Sequence, residues 1–301
     1  MGKLTGTRIV SQFCQNRLYE LLSRLAIAGF LDSQRLYFET NGILQYQDNV
    51  VSGERYALQN VLPKYITSNE PVVCDVGANC GDFTEEVLAY FPNARVVAFE
   101  PHPNTFRKLS ARLSTLSAHT TAHNVGLSSS VGESRLYDYE LNDGSSHASH
   151  YYAVLADLHR EKRITSHCVP ITTLDAFCRN NGIQWIDLLK IDTEGHELEI
   201  LRGAAGLLSA QKIGIVQFEF NEMNVISRTF LKDFYQILKE FDFYRVSKDR
   251  LIVLGEYDSR YEIFKFQNIL AIRSDLQAVD AGHDNNSSRS NLHPARYDSV
   301  W

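Results

Sequence analysis

Between residues 71 and 241 two hydrophobic patterns alternate. PVVCDVG (71–77), ARVVAFEP (94–101), TTAHNVGLS (120–128), IDLLKID (186–192) and IGIVQFEF (213–220) are short, mainly apolar runs with the β-branched content of strands. GDFTEEVLAYF (81–91), PNTFRKLSARLSTL (103–116), TTLDAFCRNNG (172–182), HELEILRGAAGLL (196–208) and FLKDFYQILKEF (230–241) instead space their apolar residues as helices do. Repeated strand and helix units predict an α/β fold in which a mostly parallel sheet carries helices on both faces. The β-branched and aromatic runs from 243 to 273 predict an antiparallel strand pair closing that sheet.

The flanks read differently. Residues 1–50 carry Leu18, Leu21, Leu22 and Leu25 at helical spacing, which predicts an N-terminal helical extension packed on the main domain of 51–274. Residues 275–301 are polar and turn-rich and predict a flexible tail. With 301 residues, 44% of them apolar, the chain can bury a full core. Its net charge of -6 gives no broad basic surface, which argues against nucleic acid as principal partner. Five cysteines without a C-x-x-C pair fit reduced thiols and argue against a zinc site. The apolar stretch 18–31, interrupted by Glu20 and Arg24, is too short for a bilayer, and no signal-peptide pattern precedes it. The expectation is a cytoplasmic protein without a membrane span.

In an open parallel sheet the ligand lies beyond the carboxyl ends of the strands. The first strand ends in Asp75, Val76, Gly77, Ala78, Asn79, Cys80 and Gly81, where two residues without Cβ let the backbone turn and a ligand approach. The second ends in Glu100, at the spacing from Gly77 where an acid accepts hydrogen bonds from ribose hydroxyls. The turn lacks the third glycine of a dinucleotide fingerprint and is flanked by Asp75 and Asp82, which repel a pyrophosphate and attract an ammonium. Adenosine joined to a cationic amino acid describes S-adenosylmethionine.

At this point the chain resembles a known family. VVCDVGANCGDFT, VVAFEPHPNTFRKL, ITTLDAF and IDLLKIDTEGHELEILRGA are similar, in order and at domain-wide spacing, to the successive motifs of the FkbM-type methyltransferases, a branch of the class I S-adenosylmethionine-dependent enzymes. The resemblance covers roughly residues 50–273. It implies a Rossmann-like, seven-stranded, mostly parallel sheet and methyl transfer to a hydroxyl of a sugar, glycan or small natural product. Carried over residue by residue, it implies Asp75, Gly77, Ala78, Asn79 and Gly81 around the methionine part of the cofactor, Glu100 and Pro101 at the ribose, and Asn124, Val125 and Gly126 at the adenine.

Methyl transfer needs acceptor, methyl and sulfur in line and a group to take the hydroxyl proton. Lys190, Asp192 and Glu194 end one strand; Glu219 and Asn221 end the next. Glu219 is the first candidate for the base and Asp192 the second, with Glu194 shaping the turn near the methyl donor. Lys190 and Asp192 either act directly or close the strand end as an ion pair. Ser145, Ser146 and His147, in a polar loop, are candidate acceptor contacts together with Asn221, while His196 is expected to be structural. Asp192, Glu219 and Asn221 also form an oxygen donor set that suits a divalent ion such as magnesium, but their spacing does not demand one, so no metal site is assigned. A catalytically silent adenosine-binding module acting as a partner subunit is the alternative to an O-methyltransferase.

Overall fold

The computed structural model describes residues 17, 18, 20–22, 33–43, 48–116, 118–276 and 278. The tail expected from 275 therefore lies almost wholly outside the described residues, as does Leu25 of the N-terminal helix. Leu18 and Leu21, expected on that helix's packing face, are both 56% exposed.

Eight strands form the central sheet in the order Leu251–Val253 (β10), Phe241–Val246 (β9), Gln267–Arg273 (β11), Ile213–Phe220 (β8), Ile186–Ile191 (β7), Val72–Val76 (β1), Arg95–Phe99 (β2) and Thr120–His123 (β3). β1 (Val72–Val76), β2 (Arg95–Phe99), β3 (Thr120–His123), β7 (Ile186–Ile191) and β8 (Ile213–Phe220) pair in parallel. Their side chains alternate between two cores. Cys74, Val76, Phe99, Leu189, Ile191 and Phe218 face one. Val73, Val96, Leu188 and Ile215 face the other, beneath the helix Asp82–Tyr90 and the helical segment from Glu54 to Lys64. Burial on both faces is why these strands read as nearly unbroken apolar runs.

The expected seven strands become eight, and the expected antiparallel pair becomes three strands. β11 (Gln267–Arg273) lies antiparallel between β8 and β9 (Phe241–Val246). β10 (Leu251–Val253) then folds back on the edge of β9 through the polar turn Ser247–Arg250, closed by the Ser247 N–H donating to the Arg250 carbonyl at 2.9 Å. A second sheet, β4-β6-β5, was not anticipated. It is built from β4 (Gly126–Leu127), β5 (Gly132–Tyr139) and β6 (Ile164–Thr172). The run 120–128, read as one strand, breaks because the Asn124 side-chain amide donates to the carbonyls of Glu100 (2.8 Å) and Pro101 (3.0 Å), turning the chain out of the first sheet. The stretch 196–208 divides into helices Glu197–Arg202 and Ala205–Ser209 at Gly203, where only glycine fits, because a Cβ there would stand 2.1 Å from the Ser128 carbonyl oxygen. Among the described residues no helix is long and apolar enough to cross a membrane.

From β1 the chain winds outward through β2 and β3, then returns to pair β7 on the other side of β1. The reversal at the carboxyl ends of β1 and β7 is where such sheets bind ligands.

Candidate functional site

A cavity of about 1200 Å³ opens at that reversal. Its near end is built on backbone. Gly77 (φ 79°) and Ala78 donate their N–H groups to the Phe99 carbonyl, both at 3.0 Å, which folds the turn over the end of β2. A Cβ on Gly77 would lie 1.8 Å from the Asp192 carbonyl oxygen, so no other residue fits there. Asp75 is fully buried; its Oδ2 accepts a hydrogen bond from the Thr84 hydroxyl at 2.6 Å, while Oδ1 has no partner among the described residues. Burial raises its pKa against the lowering pull of Lys190 and Thr84. Glu100 accepts the N–H groups of Asn79 (3.0 Å) and His102 (2.7 Å), and burial outweighs these bonds to push its carboxyl up to about 7.

Side chains from distant segments make the far end. Lys190, 5% exposed, donates to Asp192 at 2.9 Å, stands 3.8 Å from Glu54, and lies 5.0 Å from the centre of the Phe83 ring. Burial alone would lower the pKa of this ammonium, but the charges of Asp192, Glu54, Asp75 and Glu219 hold it well above the ordinary range. Glu219 accepts the Asn221 amide at 3.2 Å. Burial, then the charges of Asp192 and Glu194, push Glu219 well above the usual carboxylate range. Glu194 adopts φ 52°, meets His147 Nδ1 at 3.2 Å, and its Oε2 has no partner among the described residues. Burial raises its pKa; that bond in turn raises His147.

The structure thus brings Asp75, Gly77, Ala78, Asn79, Glu100 and Pro101 to one end of a cavity whose other lining residues include Lys190, Asp192, Glu194, Glu219 and Asn221, with Ser145, Ser146 and His147 also on its wall. Val125, Gly126 and Asn124 are not among the lining residues; Asn124 is spent on the backbone as described. Gly81 (φ 90°) starts the helix Asp82–Tyr90 rather than lining the cavity. His196 is buried on the Ser128 hydroxyl at 3.0 Å and burial pulls its pKa down to about 3, consistent with a packing role.

Sequence reasoning missed Glu54, which comes from a segment over a hundred residues from its partners and reaches the cavity only because the helical segment 54–64 packs on the sheet. It also missed how the loop 140–150 is fastened. Asp138 accepts the N–H groups of Gly144 (2.7 Å) and Ser145 (2.9 Å) and the Ser145 hydroxyl (2.5 Å). Asp143 meets Nε2 of His102 at 3.0 Å and of His167 at 2.7 Å, and accepts the Asn104 amide. These three side chains are close enough to hold an ion. His102 Nδ1, however, accepts the Asn104 N–H at 3.2 Å, which leaves the ring proton on Nε2 and points it at Asp143. A metal-binding histidine has the opposite arrangement, donating from its free nitrogen. Asp143 is therefore a hydrogen-bond hub; burial raises its carboxyl, but the bonds from His167 and His102 prevail and hold it below the usual range.

Comparisons with known proteins agree with the architecture. The family model of the methyltransferase FkbM domain matches residues 75–244. Methyltransferase sdnD of Sordaria araneosa is 30% identical over 162 residues, 45% of this chain and 61% of that protein. The hexuronic acid methyltransferase AglP of Haloferax volcanii is 27% identical over 167 residues, covering 55% of this chain and 62% of that one. The 2-O-methyltransferase NoeI of Sinorhizobium fredii is 22% identical over 166 residues, covering 51% and 65%. The chain spans about three fifths of the length of these three relatives.

Proposed function

The chain belongs to the FkbM methyltransferase family, its domain covering residues 75–244, and from that premise we propose an S-adenosylmethionine-dependent O-methyltransferase acting on a hydroxyl of a sugar, glycan or small natural product. The catalytic unit in this reading is 51–274. The observation that carries it is the pairing, in one cavity, of the orphaned Asp75 Oδ1 and the Glu100 carboxylate at the ends of β1 and β2 with a proton-hungry Glu219 at the end of β8.

These residues fit the cofactor. The unpartnered Asp75 oxygen is a buried acceptor that a ligand N–H would satisfy, and Glu100 retains lone pairs for ribose hydroxyls beyond the two backbone bonds it makes. Gly77, Ala78 and Asn79 supply the close backbone wall, and Pro101 the turn after Glu100. When bound, S-adenosylmethionine supplies an electrophilic methyl group. The chain's own part is to orient the acceptor and receive its proton. Glu219 suits the second task, because a carboxyl whose pKa is raised by burial is, when ionised, a stronger base than an ordinary one. Asn221 holds Glu219 in place, and Lys190, tied to Asp192 and Glu54, keeps part of the surrounding negative charge balanced. Two relatives support the acceptor class by name, one as a hexuronic acid methyltransferase and one as a 2-O-methyltransferase.

Calorimetry should show binding of S-adenosylmethionine and none of NAD. With an active acceptor, Glu219→Gln should lower kcat by roughly 10²–10⁴ with cofactor affinity kept, and Asp192→Asn by less. Full turnover in both variants would refute the assignment of the base. Cofactor binding without turnover on any hydroxylated acceptor would favour the silent module.

A further inference from the structure

Glu197 opens the helix Glu197–Arg202, is 2% exposed and does not line the cavity. Its Oε1 accepts hydrogen bonds from the turn that follows β7: the Thr193 N–H at 3.1 Å, the Thr193 hydroxyl at 3.2 Å and the Gly195 N–H at 3.0 Å. Its Oε2 accepts the Asn224 side-chain amide, at 3.5 Å, from the short helix Met223–Ser227 that follows β8. Asn224, 1% exposed, passes the connection on, for its Oδ1 accepts the Asn221 N–H at 2.9 Å. Asn221 Oδ1 in turn accepts the Met223 N–H at 3.0 Å, which leaves the Asn221 amide nitrogen to donate to Glu219 at 3.2 Å. The two strand-end segments also touch directly, since a Cβ on Gly195 would stand 3.2 Å from the Met223 carbonyl oxygen.

Resting on the reading of Glu219 as the base of a methyltransferase site, we propose that Glu197 is a positioning residue for it. Through Asn224 and Asn221 it sets the place of the Glu219 carboxyl; through Thr193 and Gly195 it holds the turn that carries Asp192 and Glu194. Every side-chain or turn group that meets the Glu197 carboxylate is a donor, so both of its oxygens must accept. Glutamine meets only half of that demand. With its oxygen toward Thr193 and Gly195, its NH2 group faces the Asn224 NH2 group, two donors with no acceptor between them. The Asn224 amide cannot turn over in response, because the Asn221 N–H needs its oxygen. A buried donor left without an acceptor costs more than one hydrogen bond gains, and here the loss falls on Asn221 and not on the turn after β7. A carboxylate at 224 with an amide at 197 restores a donor and an acceptor at each of these contacts.

The test is hydrogen exchange followed by NMR in saturating S-adenosylhomocysteine, at a pH above the value of about 7 to which burial pushes the Glu197 carboxyl. The reporters are the Asn221 side-chain amide and the backbone N–H groups of Asn221, Thr193 and Gly195. In Glu197→Gln both Asn221 signals should exchange about fivefold faster or more, while Thr193 and Gly195 keep their protection. Combining Glu197→Gln with Asn224→Asp should return Asn221 to within about twofold of its native rate. Unchanged Asn221 exchange in the single variant overturns the proposal, as does equal acceleration of all the reporters or a double variant that recovers nothing. If Glu197→Gln does not fold, Asn224→Asp alone takes its place, since it sets two carboxylates against each other, and the double variant must protect Asn221 better than it does. Failure of S-adenosylhomocysteine to bind is a different result: it removes the cofactor reading, whereas the exchange rates decide whether Glu197 reaches Glu219.

Discussion

The two ends of the cavity are made in different ways. At the ends of β1 and β2 the parts come from residues 75–101, and their geometry is fixed by backbone: a glycine with no room for a Cβ, amides folded onto Phe99, and a carboxylate held by two N–H groups. At the ends of β7 and β8 the parts are titratable side chains from several segments, whose positions and proton affinities depend on one another. The first arrangement resists substitution absolutely but at few positions. The second is a mutual balance of charges, so a change at one residue alters the others.

That contrast can be broken first at Gly77. Gly77→Ala should remove cofactor binding altogether and lower stability by about 3 kcal/mol or more, because the new methyl would meet the Asp192 carbonyl. A variant with near-normal S-adenosylmethionine affinity and melting temperature would show that the turn is adaptable and the contrast false. Next comes Lys190. Lys190→Met leaves Glu54 and Asp192 without their shared cation and should cost about 3 kcal/mol in chemical denaturation. Adding Glu54→Gln and Asp192→Asn should recover a large part of that loss; additive destabilisation would mean that the far end is not a coupled charge balance.

The smallest effect concerns pH. The Glu100 carboxyl is held near 7 by burial, above the ordinary 4.5, so the folded chain binds this proton more tightly than the unfolded one. The stability it contributes is complete below pH 4.5 and is lost as pH rises through about 7. Between those limits the unfolding free energy of the native chain should fall relative to Glu100→Gln by about 3 kcal/mol at most. Parallel stability curves for the two proteins would show that the two backbone amides keep Glu100 ionised throughout.

How far the molecule was legible from its residues follows the same division. Val72–Val76, Arg95–Phe99 and Pro103–Leu116 appear where their hydrophobic periods placed them, because burial on both faces, or on one stripe, is written in the local pattern. Asp75, Gly77 and Glu100 were identifiable for a related reason: a turn between a buried strand and a helix restricts residue types within a few positions. The second sheet was not legible. β5, GESRLYDY, is polar along most of its length and its pairing with β6 rests on a partner about thirty residues away.

By itself, then, the sequence determined the parallel α/β layering, the turn over β2 and the acid at each of the first two strand ends, since each depends on neighbours within one hydrophobic or glycine-bearing segment. Tertiary structure alone decided that Glu54 would join Lys190, that Asp143 would gather His102, His167 and Asn104, and that Glu219 would be buried beside the charges of Asp192 and Glu194, which raise its pKa. Those properties come from charge and burial shared across the chain, and a carboxylate's surroundings are not written in the residues beside it.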